Sequence, residues 1–231
     1  MYDNIIIGAG YGPVGFCLAH GGNNLILSDN LFVDEFSPCF AIGECGYQTV
    51  YGEELYRDFK QNDLIRERIV DSIGGAIRLY QIIEKHRIAI RYQSFVSAVK
   101  QTAYGFEVSV HNWEGAKKLP CRNVIQTTGQ AVAKSFNALV FGQGTYCTRT
   151  FHPEQYLLRF PAGLDESYTS ARLRLINWLH GQESIRLIMT AYAFEYFYPE
   201  NKGPFEAFEA GYVRGLELRE SVTGTGGPLW S

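Results

Sequence analysis

Five residues near the start of the chain have the clearest chemical meaning: Gly8-Ala9-Gly10-Tyr11-Gly12, directly behind the apolar run Ile5-Ile6-Ile7. A short β-branched strand that breaks into glycines and then into a helix directs backbone N–H groups and the positive end of the helix dipole towards one point, where a pyrophosphate is stabilised. Glycine is needed because the turn uses dihedral angles closed to other residues, and because a Cβ would block the phosphate. The pattern predicts a nucleotide phosphate site.

The glycine spacing departs from the GxGxxG pattern at its third glycine. That position is Pro13, and Gly15 follows two residues later. Proline suits the first position of a helix because its missing N–H would have no partner there, so we expect the helix to start at Pro13. Proline also offers no donor to a phosphate. The residues predicted to surround the phosphate are Gly8, Gly10, Tyr11, Gly12, Pro13, Val14 and Gly15.

An acidic residue follows the next buried strand. Leu25-Ile26-Leu27 predicts that strand, and Asp29 comes about 20 residues after the first glycine, where a carboxylate hydrogen-bonds the ribose hydroxyls of an adenosine. Ser28 and Asn30 flank this carboxylate and belong to the same predicted site. The alternative interpretation is that Asp29-Asn30 is only a polar turn after a strand.

The cysteines and histidines form no recognisable motif. The five cysteines are odd in number and widely spread, with no CxxC and no zinc-like pairing with histidine, which disfavours a disulfide scaffold and a structural metal. No metal site is predicted. The five histidines are scattered, and His152, before Pro153, is a candidate pocket residue.

Length and composition indicate an ordinary globular protein. The 231 residues allow one sizeable domain, or one domain with a small companion, and 46% of them are hydrophobic. The 21 Lys and Arg residues are balanced by 24 Asp and Glu residues without a basic cluster, so nucleic acid is not expected as a partner. No apolar run approaches the roughly 20 residues of a membrane span, and a strand begins almost at Met1, leaving no room for a signal peptide. The expected location is cytoplasmic.

Hydrophobic periodicity predicts the elements that carry these residues. A helix is expected from about Thr49 to Phe59, with Ile65, Ile69 and Val70 as its continuation. A clearer helix follows over residues 72–86, capped by Asp71 or Ser72. The apolar stripe expected on this second helix is Ile73, Ala76, Ile77, Tyr80 and Ile83.

The next part of the chain reads as β structure. Alternation predicts a strand over residues 88–92 and then three antiparallel strands between residues 96 and 119, which form a meander. A separate buried strand begins at Asn123 and ends in Thr127-Thr128-Gly129. The elements predicted beyond residue 130 are a helix capped by Ser167 or Ser170 that carries Leu173, Ile176 and Leu179, a strand from Ile185 to Tyr196, and a last helix opened by Pro204.

The order of these features resembles the flavin domain of FAD-dependent oxidoreductases of the glutathione-reductase type. That family has a glycine loop, an acidic residue after the second strand, an amphipathic helix, a strand, a three-stranded meander, and a strand ending in Ala-Thr-Gly or Thr-Thr-Gly. The corresponding parts here are Gly8 to Gly15, Asp29, and residues 72–86, 88–92, 96–119 and 127–129. The meander separates FAD binders from plain NAD Rossmann domains, which have a helix there, so the resemblance implies FAD as the cofactor.

The resemblance implies an α/β fold with two parts. Residues 1–132 would form a Rossmann-like FAD-binding domain, a parallel sheet with helices plus a three-stranded antiparallel β-meander. Residues 133–231 would form a small α+β substrate or cap region, whose last helix could pack back on the FAD domain. By the family pattern the glycine loop holds the pyrophosphate, Asp29 the adenosine ribose and the backbone of Val96 the adenine edge, with the Thr127-Thr128-Gly129 turn close behind the cofactor.

The implied function is that of an enzyme transferring hydride or electrons between a small organic substrate and flavin, with a homodimer as one option. No catalytic side chain is identified. Cys39 and Cys45 lie where related disulfide oxidoreductases have a redox pair with four intervening residues, but five intervene here, and that spacing does not place both sulfurs on one helix face. The alternative is two unreactive thiols.

Two other functions stay open. The short C-terminal region lacks the Gly-Asp motif of the family, which would suit a flavin or nucleotide binding module without turnover. An NAD-dependent single-domain enzyme is the other alternative, and it requires the predicted meander to be something else.

Overall fold

The computed structural model describes residues 1–31, 39–40, 43–44, 50–127, 131–197 and 203–223. The strands are β1 (Tyr2–Ile7), β2 (Asn24–Leu27), β3 (Gly43–Glu44), β4 (Ile65–Arg66), β5 (Ile69–Val70), β6 (Ala89–Arg91), β7 (Phe95–Thr102), β8 (Gly105–Asn112), β9 (Gly115–Gln126), β10 (Ala133–Phe141), β11 (Cys147–Arg149), β12 (Gln155–Ala162) and β13 (Arg186–Phe197). The helices are α1 (Tyr11–His20), α2 (Gly52–Gln61), α3 (Ser72–His86), α4 (Tyr168–His180) and α5 (Pro204–Thr223).

A six-stranded sheet with the order β6-β2-β1-β9-β8-β7 forms the first part of the fold. Its strands β6, β2, β1 and β9 are parallel, and Ile7 is in register with Leu27 on one side and with Gln126 on the other. Strands β7, β8 and β9 pair antiparallel and form the predicted meander.

Both faces of the parallel strands are covered. Ile6 and Ile26 point to the side of α1, α2, α3 and α5, where they join a core with residues such as Phe59 and Leu79. Ile5 and Leu25 point to the opposite side, where the packing partners from the meander are Val108, Val110, Leu119 and Cys121. Because neighbouring side chains alternate between two buried faces, β1 and β2 read as continuous apolar runs.

Strand β9 differs from its predicted form because it is one strand where the sequence suggested two. Its first half pairs with β8, with Leu119 opposite Val108, and its second half pairs with β1, with Ile125 opposite Ile6. The third meander strand therefore continues directly into the parallel sheet.

The helices near the site start and end close to their predicted positions. Helix α1 begins at Tyr11 instead of Pro13, which leaves the proline in the first turn, where N–H groups have no partner within the helix. Asp71 caps α3, and its carboxylate accepts hydrogen bonds from the backbone N–H groups of Ile73 and Gly74 at 3.0 and 3.1 Å.

The predicted continuation of α2 is wrong. Helix α2 ends at Gln61, and Ile65, Ile69 and Val70 lie in the short strands β4 and β5, which pair antiparallel with each other. Asp63, Glu67 and Arg68 between and before these strands have positive φ angles, which end a helix.

A second, four-stranded antiparallel sheet has the order β11-β12-β10-β13. Helix α4 covers one of its faces, and the shared core contains residues such as Phe136, Leu158 and Leu175. The strand over residues 186–197 and the Ser167 cap of α4 are as predicted, whereas β10, β11 and β12 were not predicted. The predicted boundary after residue 132 falls between the two sheets, and the functional division at that boundary stays a prediction.

Helices α1 and α5 approach each other closely. A Cβ built on Gly211 would overlap the carbonyl oxygen of Gly12, and one built on Gly15 would overlap that of Phe208. A Cβ on Gly215 would lie 2.5 Å from the carbonyl oxygen of Phe16. Glycine at these positions therefore lets the backbone of α5 rest on α1, the helix that follows the glycine turn.

Candidate cofactor-binding site

The carboxyl ends of β1, β2 and β9 meet at one edge of the first sheet. The backbone N–H of Gly8 donates to the carbonyl of Leu27 at 3.0 Å, which ties the glycine turn to β2. Thr127 donates to the carbonyl of Ile7 through both its backbone N–H at 3.2 Å and its Oγ1 at 3.0 Å. In open α/β sheets ligands bind at this edge, where the loops leave the strands in different directions.

The glycine turn has a backbone that only glycine adopts easily. Gly8 has a φ of 124°, and Gly10, the N-cap of α1, has a φ of 110°. In the part of the chain that the structure describes, no side chain caps this helix. The first N–H groups of a helix have no partners within it, and here they follow a turn without Cβ atoms at its two strained positions. These residues fit a diphosphate group.

The Asp29 carboxylate follows the end of β2 at the same edge. Ser28 before it is fully buried, and its Oγ accepts a hydrogen bond from the N–H of Asn30 at 3.2 Å. The N–H of Ser28 donates to the carbonyl of Arg91 at 2.9 Å. The turn is therefore held on both sides, while Asp29 itself is exposed and can accept hydrogen bonds from a ligand.

A recess of about 300 Å³ lies beside this turn. Its lining residues are Gln93, Phe95, His111, Asn112 and Trp113. The backbone N–H of Gln93 donates to the carbonyl of Asn30 at 3.1 Å, and the backbone N–H of Ser94 donates to the carbonyl of Ser28 at 2.8 Å. The recess therefore adjoins the Asp29 turn. Trp113 is 82% exposed and offers an aromatic face on which a nucleobase can stack.

Val96, which the sequence predicts as a cofactor contact, lies next to this recess, whereas the recess itself was not predicted. Val96 pairs with Val110 and packs into the core between the meander and the parallel sheet. The sequence does carry one signal for the recess, the tryptophan in the tight turn Asn112-Trp113-Glu114-Gly115. A turn that faces solvent has no packing need for so large a ring.

Several predicted site residues have side chains that face away from the edge. Tyr11 is buried with its ring 6.2 Å from that of Phe59, and Val14 lies in the helical core. Gly12 and Gly15 lie on the side of α1 that contacts α5. Contact of these residues with a cofactor stays a prediction. Thr128 and Gly129 lie outside the described residues.

The candidate reactive groups are distributed over different places. Cys39 is buried at the second sheet, and Cys45 lies outside the described residues, so their redox pairing stays a prediction. Burial raises the pKa of the Cys17 thiol to about 12, which makes it a poor nucleophile. His152 lines a different cavity of about 170 Å³, between the β4–β5 hairpin and the turn from β11 to β12.

The second sheet carries a polar cluster that sequence reasoning also missed. On the face opposite α4, Arg159 forms a two-pronged ion pair with Glu195, with nitrogen–oxygen distances of 2.8 and 2.9 Å. Ser135 and Asn137 from the neighbouring strand complete it. We call these four residues the Arg159 cluster.

The described ranges hold neither a metal-binding group nor a membrane-spanning helix. These residues contain no group of three or more His, Cys, Asp or Glu side chains placed to hold a metal ion. None of the helices described there has the length and apolar character needed to cross a membrane.

Comparison with solved structures identifies the fold. A p-nitrophenol 4-monooxygenase from Pseudomonas putida matches with a TM-score of 0.61 and 10% sequence identity, over 97% of this chain and 80% of that one. Aklavinone-11 hydroxylase in complex with FAD and aklavinone matches with a TM-score of 0.62 and 12% identity, over 98% and 63%. The chain has an FAD-binding oxidoreductase fold. The predicted fold class, a Rossmann-like parallel sheet with a meander and a smaller α+β region, is confirmed.

A third similar structure extends this comparison. OxyS anhydrotetracycline hydroxylase from Streptomyces rimosus matches with a TM-score of 0.62 and 15% identity, over 98% of this chain and 64% of that one. The chain thus spans under two thirds of the length of the two hydroxylases. No protein-family model matches the sequence, and the curated proteins give no match either.

Proposed function

We propose that the chain binds FAD and acts as an oxidoreductase that transfers electrons between the flavin and a small organic substrate. The observation that carries the proposal is the Gly8–Gly10 turn, which opens α1 at the carboxyl edge of a parallel sheet beside Asp29. The similarity to aklavinone-11 hydroxylase, which was solved with FAD, supports the same cofactor here.

Three parts of the edge would share the cofactor. The N-terminus of α1 would hold the diphosphate, the Asp29 carboxylate the adenosine ribose, and the recess with Trp113 the adenine. Thr127 would lie on the other side of the glycine turn, at the end of β9. When bound, FAD would supply the electron-transfer chemistry, and the protein would orient it and exclude competing reactions.

Mono-oxygenation is the more specific reaction that we propose. The three structures compared above are named as a monooxygenase or as hydroxylases. Of these, aklavinone-11 hydroxylase was solved with aklavinone, an organic ligand. Residues 133–231, with the second sheet, would supply the substrate side, and residues 1–132 the cofactor side. A cytoplasmic location and a homodimer are further proposals that come from the sequence.

The absorption spectrum of the purified protein tests the proposal. We expect a yellow protein that releases FAD on heating and that bleaches when an electron donor is added under anaerobic conditions. A yellow protein that resists every donor would instead support a binding module without turnover. A colourless protein that gains thermal stability only with NAD would contradict the proposal and support the NAD-dependent alternative.

A further inference from the structure

A charged pair on the second sheet has no part in the proposed cofactor site. The guanidinium of Arg159 donates from Nε and Nη2 to the two carboxylate oxygens of Glu195, and Glu195 is only 7% exposed. Moving two charges out of water is costly, and apolar residues of similar volume often stabilise a fold equally well. The pair therefore calls for a role besides stability.

The neighbouring side chains fix the orientation of this pair. Glu195 Oε2 also accepts a hydrogen bond from Asn137 Nδ2 at 2.7 Å, and the hydroxyl of Ser135 donates to Asn137 Oδ1 at 2.6 Å. Asn137 Nδ2 donates in addition to the carbonyl of Cys39 at 2.8 Å. Because Asn137 holds the carboxylate and is itself held by Ser135 and the Cys39 carbonyl, the guanidinium that the carboxylate binds has a defined direction.

One edge of the Arg159 guanidinium makes no hydrogen bond within the Arg159 cluster. A guanidinium has five N–H donors, and the Glu195 carboxylate takes only those on Nε and one on Nη2. Within the ranges that the structure describes, Nη1 has no hydrogen-bond partner. The Arg159 side chain is 28% exposed, so part of it is open to a ligand.

A mostly buried apolar patch adjoins the Nη1 edge of the guanidinium, with half-buried Leu139 and 53% exposed Tyr192 as its accessible members. Leu157 is two residues from Arg159 on β12, and Leu139 is two residues from Asn137 on β10, so both lie on the same face as the Arg159 cluster. Leu157 and Leu139 pack with Phe40 and Ala191, and the ring of Phe40 lies edge-on to that of Tyr192 at 6.2 Å.

We propose that Arg159 binds an acceptor oxygen of the substrate, a carbonyl or carboxylate, while the apolar body of the substrate packs near Leu139 and Tyr192. Glu195 is a positioning residue in this scheme because it acts only through Arg159. Arginine has donors and no acceptor, so a ligand without an acceptor oxygen gains nothing from this edge. The inference deepens the proposed function by naming a chemical class for its substrate.

Ligand binding measured by calorimetry on the purified full chain tests this assignment. Acetophenone and ethylbenzene have similar shapes, but only acetophenone has an acceptor oxygen. We expect the chain to bind acetophenone about tenfold more tightly or better, because a hydrogen bond from a charged donor is among the stronger ones. In Arg159→Met the two ligands should bind with the same affinity.

Arg174 provides a matched control. It forms a similar two-pronged ion pair with Glu166 at 3.1 and 2.8 Å, and its guanidinium stacks on Phe160, which belongs to the α4 side of the same sheet. Arg174→Met should therefore keep the preference for acetophenone. Since Arg159→Met leaves Glu195 without its partner, the double variant Arg159→Met with Glu195→Gln is measured beside it.

Benzoate, which has a carboxylate where acetophenone has a carbonyl, tests the role of Glu195. In Glu195→Gln the guanidinium is no longer neutralised, so affinity for benzoate should rise several-fold relative to acetophenone, a shift that a purely structural role would not cause. Three outcomes would overturn the inference. The unaltered chain could bind acetophenone and ethylbenzene equally, it could bind neither, or both Arg159 variants could keep the preference for acetophenone. These measurements need no flavin, so a colourless protein that still discriminates would contradict the proposed function alone.

Discussion

At the residue scale, the two glycines of the turn before α1 were predictable because their backbone requirement is local. Gly8 and Gly10 have positive φ angles that a side chain opposes, and a strand-to-glycine-to-helix pattern reports this directly. The roles of Gly12 and Gly15 were harder to read, since their closest contacts come from α5, almost 200 residues away along the chain. A glycine kept for a distant helix looks the same in sequence as one kept for a phosphate.

Gly10→Ala tests the phosphate turn. A side chain at this position is opposed by the φ of 110°, and in the proposed site it would crowd the diphosphate, so we expect strain of roughly 1–3 kcal/mol and a loss of FAD affinity of about tenfold or more. Gly21→Ala is the matched control, because Gly21 has a φ of 66° and open space around it, at the other end of α1. Equal loss of FAD affinity in both variants would mean that strain alone, and no phosphate contact, explains the effect.

Asp29→Ala tests the ribose contact. Hydrogen bonds to a charged group contribute about 1.5–3 kcal/mol, so the dissociation constant for FAD should rise by roughly ten- to a hundredfold. Binding of riboflavin phosphate, which has no adenosine, should be unchanged. Asp165→Ala removes another exposed carboxylate and should leave both affinities as they are. An unchanged FAD affinity would favour the interpretation of Asp29-Asn30 as a polar turn.

The thiols should differ in reactivity according to their burial. Burial raises the pKa of Cys17 to about 12, so at pH 8 almost none of it is thiolate, whereas Cys147 is partly exposed. We expect iodoacetamide to label Cys147 much faster than Cys17 in the native protein, as measured by peptide mass spectrometry. The difference should vanish in guanidinium chloride, and equal native rates would count against the packing of α1.

At the element scale, helix positions were predictable but their buried faces were not. Ile73 and Ile77 were expected in the apolar stripe of α3 and are 58% and 56% exposed, while Leu79 is fully buried. Gly75 explains why α3 turns a different face inward than the one predicted. A Cβ there would lie 2.8 Å from the Oη of Tyr11, so glycine lets the tyrosine ring pack against this face of the helix. Helix α4 behaves similarly, with Leu173 58% exposed and Ala171 fully buried.

Strand β10 was missed because of the residues that carry its polar cluster. Ser135 and Asn137 are buried, so both faces of the strand are covered although one face is polar. A pattern search expects apolar residues at such positions and therefore finds no strand. Sites that break the local rule in this way are where sequence reasoning is expected to fail.

Gly211→Ala tests the contact between α1 and α5. Alanine favours a helix over glycine by about 1 kcal/mol, but here its Cβ would overlap the carbonyl oxygen of Gly12. Overpacking of this kind costs roughly 1–3 kcal/mol, so chemical denaturation should give a lower free energy of unfolding. Gly181→Ala, whose Cβ would make an ordinary contact at 3.5 Å, should change stability little. A stabilised Gly211→Ala protein would contradict the close packing.

At the scale of the whole molecule, the order of elements was enough to predict the fold class. The glycine turn, the acidic strand end and the meander follow one another along the first half of the chain, and each leaves a local pattern. The second sheet was mostly unpredicted because its identity depends on pairing between distant strands, such as Phe136 with Phe194.

Cofactor binding should also stabilise the molecule as a unit. A ligand that binds only the folded state raises stability by an amount set by its concentration relative to the dissociation constant, about 2.7 kcal/mol at a hundredfold excess. We expect FAD to raise the melting temperature of the apoprotein in differential scanning calorimetry, with a much smaller rise in Gly10→Ala. A rise with NAD and none with FAD would reverse the cofactor assignment.

The unbroken course of β9 has a consequence for which nucleotides fit. The strand runs from the hairpin turn that carries Trp113 to Gln126, beside the glycine turn, and its hydrogen bonds to β8 and β1 leave no joint along the way. The turn that carries Trp113 and the glycine turn are thus joined through one hydrogen-bonded element, so their relative position is fixed by the sheet. With adenine and diphosphate held at these two turns as proposed, a whole dinucleotide should bind more tightly than either half, because only the whole molecule reaches both.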